Sequence, residues 1–550
     1  MKVASFDIFD TCLIRKCGDA RNVFYILAKH AFVQPVSSSI TRAFVSARIE
    51  AEVRSHSDNQ KLVDIYKALQ FEHPDLLPKS KLIEIEQNIE REMLCPVSGM
   101  VNLISTLRSE GNKILFISDM YLDAYFLLPI LRISGLWKEG DGLYVSCEIG
   151  ATKSSGKLYE YIRQKENISY KNWQHYGDNA LSDVQVPRRL GIRAHLVSHM
   201  HTPYQKVMRK QPSLSCQWGC MLAGISRSIG FQSMRSAHKD FVLDIIAPLF
   251  VTFVYRVMNN AQKKGINNLY FCARDAYPLY RIACKIQPLF SDIAVSYLYI
   301  SRTSLYEGDE TTKIGYFKQI GLASNNAKNA IVDIRSSGKT LKALNDVLVS
   351  NGFSSVFGYF FETCPKTTEQ LQNIEYYTEV DDLFIHNLSL VLHKLPSNWY
   401  MYELYFPLNT QKRTIAYEFD GKEYRPVLDK EDKKEYHMAN LQEHVKWRNW
   451  SLDRYTEYFM QLGLYNYADE IFQMYALPQL ADFFQYPDKH YLKALSEFYG
   501  LDPIKGYIPY VDNSLLRLPH NVLKHHTMWK RGTIFYTFPT WLAKLIYKIK

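Results

Sequence analysis

A chain of 550 residues is too long for one hydrophobic core, and its 47% hydrophobic content excludes a long disordered chain. The formal net charge of +10 suits phosphorylated substrates or an anionic membrane surface, and the lack of any nucleic-acid-module signature argues against nucleic acid as a partner. Nine cysteines have no regular spacing, and Cys216 and Cys220 stand as a lone close pair, so neither a zinc site nor a disulfide framework is expected and all are read as reduced thiols of a cytoplasmic protein. A signal peptide is not expected, because Asp7 and Asp10 fall where its apolar core would lie, and neither is a window apolar enough to span a bilayer.

In chain order, residues 3–6 form a short apolar strand that runs straight into Asp7, Asp10 and Thr11. Ligands in α/β folds gather at strand C-termini, and two acids this close repel unless a cation or a proton sits between them. Residues 20–32, 39–55 and 81–93 carry apolar residues at helical spacing, which predicts a helical insertion that caps the carboxylate site. Residues 112–119 give a second buried strand ending in Ser118 and Asp119. Residues 142–146 give a third, followed by Lys153 and a helix from Leu158; residues 173–176 give a fourth, ending in Gly177, Asp178 and Asp183. Alternating strands and helices with polar strand ends predict a parallel, doubly wound sheet.

This set, Asp7-x-x-Asp10-Thr11, a strand ending in Ser118, Lys153 ahead of a helix, and Gly177-Asp178 with Asp183 beyond, resembles the four ordered motifs of the haloacid dehalogenase superfamily over about residues 1–200, with a cap at about 16–100. The resemblance implies a phosphatase in which Asp7 is the nucleophile and a Mg²⁺ ligand. Asp178 and the Phe9 carbonyl complete the metal set, and Asp183 supports it by orienting the lysine. Thr11, Ser118, Asp119 and Lys153 hold phosphoryl oxygens; Lys157 is the rival lysine. A carboxylate can attack phosphorus when a divalent cation offsets the repulsion. The sequence departs from the superfamily at one place: the proton-shuttling acid two residues after the nucleophile is replaced by Phe9, so either Asp10, one residue further on, takes that catalytic role or the site is weak or inactive.

Residues 201–220 are polar and proline-containing and are read as a linker, with a second α/β domain over 221–550. A long helix over 239–263 precedes strands at 268–272, 295–300, 330–333 and 355–361. Their ends carry Arg274 and Asp275, then Arg302, then Asp333 with Ser336-Ser337-Gly338-Lys339-Thr340. Small residues opening a helix let backbone N–H groups surround an anion. The loop resembles the phosphoribosyl diphosphate loop of phosphoribosyltransferases, with Asp333 followed by Ile334 where two adjacent acids are usual.

Together the halves resemble dual-domain ribofuranosyltransferases of bacterial surface-polysaccharide (O-antigen or capsule) assembly. The resemblance implies transfer of 5-phosphoribose from phosphoribosyl diphosphate to a glycan and then removal of the 5-phosphate by the first domain; Asp275 is a candidate base for the attacking hydroxyl. Residues 436–500 are expected to be amphipathic helices. Residues 523–550 interleave Lys and Arg with Trp and Phe, a composition suited to an anionic membrane surface and a lipid-linked acceptor. Two alternatives share the sequence: a free-standing phosphatase acting on a phosphosugar or nucleotide, and a non-catalytic membrane-peripheral scaffold.

Overall fold

The computed structural model describes residues 2–198, 201–210, 216–233, 236–363, 412–430, 439–485, 488–491 and 542–544. The chain forms two compact units, Met1–Arg235 and Ser236–Lys550. The stretch read as a linker instead carries helices at Pro203–Lys210 and Cys216–Gly230, and both belong to the first unit. The apolar positions Leu222, Ala223, Ile225 and Ile229 are buried, which ties the second of these helices down despite its polar flanks.

The first unit is built on β1 (Val3–Phe6), from which the chain leaves through β2 (Leu13–Arg15) into four helices, Arg21–Ala28, Ser38–Arg54, Leu62–Ala68 and Lys79–Met93, and returns through β3 (Leu94–Pro96). β2 and β3 pair antiparallel and close the base of this expected cap. Buried ion pairs hold the cap together: Arg15 with Glu90 at 3.0 Å, and Arg48 with Glu86 at 2.6 Å. Tyr66 Oη also donates to Glu86, at 2.6 Å, so the carboxylate is buried with its partners in place. β4 (Lys113–Ser118), β5 (Gly142–Val145), β6 (Trp173–Gly177) and β7 (Arg193–Leu196) complete a parallel sheet of order β5-β4-β1-β6-β7. Every residue of β1 is buried, as a central strand covered on both faces requires. One such face packs Leu115, Ile117, Leu158, Ile162 and Trp173 together.

The second unit has its own parallel sheet, of order β11-β10-β8-β9, from β8 (Asn268–Cys272), β9 (Ala294–Leu298), β10 (Asn329–Ser336) and β11 (Phe357–Thr363). A hairpin of β12 (Thr414–Phe419) and β13 (Tyr424–Leu428) follows, and then helices from Ala439–Gln461 to Leu477–Gln485. The expected fold class therefore holds: two α/β units with parallel sheets, the first capped by helices, the second, among the described residues, largely helical beyond its sheet and hairpin. One stretch runs against the sequence reading. Ala237–Lys263 is long and apolar enough to cross a bilayer, with a mean hydropathy of 1.9 over its best window. That window is wholly buried by protein, and the helix packs against Tyr277–Ile286 and Ala439–Gln461, as a core helix that is apolar all round does. The basic, aromatic C-terminus over 523–550 lies outside the described residues apart from 542–544.

Candidate active site

β1, β4 and β6 are neighbours, so their C-terminal ends open on one place. A cavity of about 580 Å³ there is lined by Asp7, Phe9, Ser118, Asp119, Lys153, Asp178 and Asp183, joined by cap residues that include Arg21, Phe24 and Glu52. Asp7 ends β1, and its backbone N–H continues the ladder to Tyr176 O at 2.8 Å. Lys153 Nζ is the centre of the site: it lies 2.5 Å from Asp7 Oδ1 and 2.7 Å from Asp183 Oδ1. Lys153 is 3% exposed, whereas Lys157 is an exposed helix residue, which decides between the two candidate lysines.

The supports of this lysine are themselves fixed. Asp119 takes the Lys153 backbone N–H on both carboxylate oxygens, at 2.9 and 3.0 Å. Asp119 was expected among the phosphate binders; a carboxylate so engaged is a brace for Lys153 and would repel a phosphate. Asp183 Oδ2 accepts from Asn179 N at 3.0 Å, and its other oxygen faces both Lys153 and His175 Nε2, the latter at 3.3 Å. Gly177 permits this approach, because a Cβ there would stand 2.4 Å from the Asp183 carboxyl carbon. Behind His175, Nδ1 meets Ser5 Oγ at 2.7 Å, and Ser5 Oγ accepts from Trp173 Nε1 at 2.7 Å. Burial lowers the His175 pKa and favours the neutral ring, and a proton on Nε2 would be directed at Asp183. His175 was not singled out in the sequence. The signal for it was a polar residue placed three positions before Asp178, inside an otherwise buried strand.

Burial pushes the Asp7 carboxyl up to about 7; Lys153 pulls it down, while Asp183 and Asp178 add to the rise. Burial also raises Asp183, but the His175 hydrogen bond and the Lys153 charge outweigh it and hold the group well below the usual carboxylate range. Burial opposes the charge on Lys153, yet Asp7, Asp183 and Asp119 raise its pKa above the ordinary value. Burial and the neighbouring Asp10 raise Asp178. Asp7, Asp119, Asp178 and Asp183 thus share one ammonium, an excess of negative charge that a divalent cation would balance. One oxygen each from Asp7, Asp178 and Asp183 lies within 4.8 Å of the others. Since both Asp183 oxygens already accept hydrogen bonds, Asp7 and Asp178 are the carboxylates with capacity for a metal.

Two expected residues lie elsewhere. Thr11 is buried, does not line the cavity, and donates to Asp178 Oδ1 at 3.4 Å, so it braces an acid rather than a phosphate. Asp10 does not line the cavity either: its φ is 56°, its carboxylate is 44% exposed, and Arg227 Nη1 stands 3.8 Å away. It is the left-handed residue of the turn after β1, a conformation Asp tolerates better than most side chains, and this geometry corrects its expected role as proton donor. Phe9 fills the place of the missing acid, with the Arg15 guanidinium 4.7 Å from its ring centre.

In the second unit a cavity of about 510 Å³ is lined by Arg274, Asp275, Arg302, Asp333 and Thr340, all anticipated, and also by Glu307, Arg413 and Thr414. Ser336, Ser337, Gly338 and Lys339 do not line it. Ser336 Oγ instead accepts from Gly338 N at 3.1 Å, and Gly338, at φ 81°, makes the left-handed turn into helix Lys339–Ser350. The ends of the expected phosphate loop reach the cavity and its middle does not.

No protein-family model matches the chain, and no curated protein does. Solved structures similar to it include a HAD family enzyme from Bacteroides thetaiotaomicron, at 12% identity and a TM-score of 0.29, covering 38% of this chain and 99% of that one. The same enzyme in complex with magnesium and inorganic phosphate is similar at 10% identity and a TM-score of 0.29, covering 37% and 97%. A dehalogenase with an intermediate complex is similar at 13% identity and a TM-score of 0.27, covering 37% and 87%.

Proposed function

We propose that the first unit is a Mg²⁺-dependent phosphomonoesterase with Asp7 as nucleophile. The observation that carries this reading is the buried Lys153 ammonium held between Asp7, at the end of β1, and Asp183, in the helical segment Ala180–Gln185 that follows β6. Asp7 attacks phosphorus as the P–O ester bond breaks, the leaving alcohol oxygen takes its proton from water, and a second water hydrolyses the aspartyl-phosphate to regenerate Asp7 and release phosphate. Lys153 and the Ser118 hydroxyl neutralise and orient the phosphoryl oxygens, and Asp183 keeps Lys153 in line. Asp7 and Asp178 would hold the magnesium, which supplies charge stabilisation when bound. Hard cations take oxygen ligands, which these two carboxylates and the Phe9 carbonyl would offer.

The second unit, in the same reading, transfers 5-phosphoribose from phosphoribosyl diphosphate to a glycan hydroxyl, so that the phosphatase acts on the transfer product. Arg274 and Arg302 suit the diphosphate, Asp333 the ribose hydroxyls, and Asp275 the attacking hydroxyl. The acceptor is a surface-polysaccharide precursor, lipid-linked and reached at the inner face of the cytoplasmic membrane through the basic, aromatic C-terminus.

The test is incubation of the full chain with phosphoribosyl diphosphate, Mg²⁺ and a candidate glycan, followed by the product mass. Wild type should add one ribose, Asp7→Asn one phosphoribose, and Asp333→Ala nothing. An Asp7→Asn product with the wild-type mass would remove the phosphatase assignment. Phosphate release from soluble phosphosugars with no consumption of phosphoribosyl diphosphate would leave a phosphatase alone.

A further inference from the structure

The β12–β13 hairpin brings to the second cavity a part that the strand ends do not supply. Its position is fixed by several bonds. Ser301 Oγ donates to Thr414 O at 2.6 Å, Tyr417 Oη donates to Tyr299 O at 2.8 Å, and Asp429 N donates to Arg413 O at 2.8 Å. Arg413 also pairs with Asp429 at 2.9 Å, which settles the direction of an otherwise exposed guanidinium. Within this anchored end one group is left over. Thr414 is 2% exposed and lines the cavity, yet its Oγ1 has no hydrogen-bond partner among the described residues.

A buried threonine hydroxyl can usually bond to a nearby carbonyl, and leaving it unmatched is costly. The surrounding bonds show that the hairpin is not loosely seated. The cavity that Thr414 lines is also lined by Arg274, Arg302 and Arg413, cations suited to phosphate oxygens, and by Asp275 and Asp333, acceptors suited to sugar hydroxyls. We propose that Thr414 is a ligand-binding residue of this cavity: its hydroxyl hydrogen-bonds an oxygen of a phosphorylated sugar whose phosphates face the arginines, and the hairpin fixes Arg413 and Thr414 as the recognition edge of the site. This rests on the reading of the cavity as a phosphoribosyl diphosphate site.

The experiment is calorimetric binding of phosphoribosyl diphosphate with Mg²⁺ to the full chain carrying Asp7→Asn, so that hydrolysis does not intervene. Adding Thr414→Val should weaken binding about tenfold, while Thr414→Ser, which keeps the hydroxyl, stays within about twofold. The unliganded Thr414→Val protein should melt at or above the parent temperature, because an unmatched hydroxyl is exchanged for an apolar group of the same shape. Unchanged affinity in Thr414→Val, with affinity lost in Arg274→Ala, would overturn the proposal and leave the reading of the cavity in place. A Thr414→Val midpoint lowered by several degrees would make the hydroxyl structural and also overturn it. No binding by the parent chain would overturn the proposal together with the reading on which it rests.

Discussion

In the first unit Lys153 is nearly sealed from water, both Asp183 oxygens are occupied, and a chain of hydrogen bonds runs back through His175 and Ser5 to Trp173. In the second unit Arg302 and Arg413 are exposed at the cavity they line, and Thr414 is buried there with its hydroxyl unmatched. In the proposed reading the contrast separates two tasks. A group that must meet a transition state is held in place before substrate arrives, because preorganised charges need not rearrange during reaction. A group that grips a large, charged donor can keep its capacity for the ligand itself.

The sharpest way to break this comparison is Asp7→Asn, which should lower phosphate release from a phosphomonoester about 10⁴-fold or more while leaving binding of phosphoribosyl diphosphate intact. Asp333→Ala and Arg302→Ala should do the reverse: transfer falls about 10²–10³-fold, and phosphatase turnover on a soluble phosphosugar stays within about twofold. Loss of both activities in either variant would mean that the cavities are not separate in function.

His175→Leu sharpens the point about support. It should lower phosphatase kcat about 10–100-fold with KM nearly unchanged, because it frees Asp183 and through it Lys153 rather than removing a substrate contact. A rise in KM at constant kcat would contradict that role.

Acid should weaken the second unit through one buried histidine. There His238 is buried and held neutral, its pKa pushed down to about 3 by burial, with His444, Arg448 and Lys239 adding to the effect. Between pH 6.5 and that value the unfolded chain binds a proton that the folded chain refuses. The His238 contribution to stability is therefore full above pH 6.5 and falls on acidification by about 1.4 kcal/mol per pH unit. Urea unfolding followed with pH should show this slope in wild type and a flatter one in His238→Leu.

The smallest effect belongs to Asp10→Gly. With φ at 56° and the carboxylate outside the cavity, phosphatase kcat should stay within about twofold, and stability should rise by about 0.5–1 kcal/mol as the left-handed turn is relieved. A loss of more than tenfold in kcat would restore Asp10 as the proton donor.

The strands carrying Asp7, Ser118 and Asp178 were legible because central parallel strands are continuous apolar runs with polar ends. β7 was not: Arg193–Leu196 is a short edge strand with little apolar signal. The β12–β13 hairpin was missed although Asp420-Gly421 between two strand-like runs is a turn signal, and with it Arg413 and Thr414 were missed. Asp10 and Thr11 were misjudged for a different reason. Spacing places a residue near a strand end, but the backbone turn decides which way its side chain faces. The same limit applies to Ser336–Lys339, whose small residues shape a helix entry rather than the cavity wall.

The most direct measurement is reductive trapping of the first unit's intermediate. The full chain is turned over with a phosphomonoester and Mg²⁺, quenched with borohydride, and digested for mass spectrometry. An acyl phosphate at Asp7 should be reduced to homoserine at that position and nowhere else, and the product should vanish without substrate. Phosphate release with Asp7 unmodified, or reduction at another carboxylate, would contradict the account.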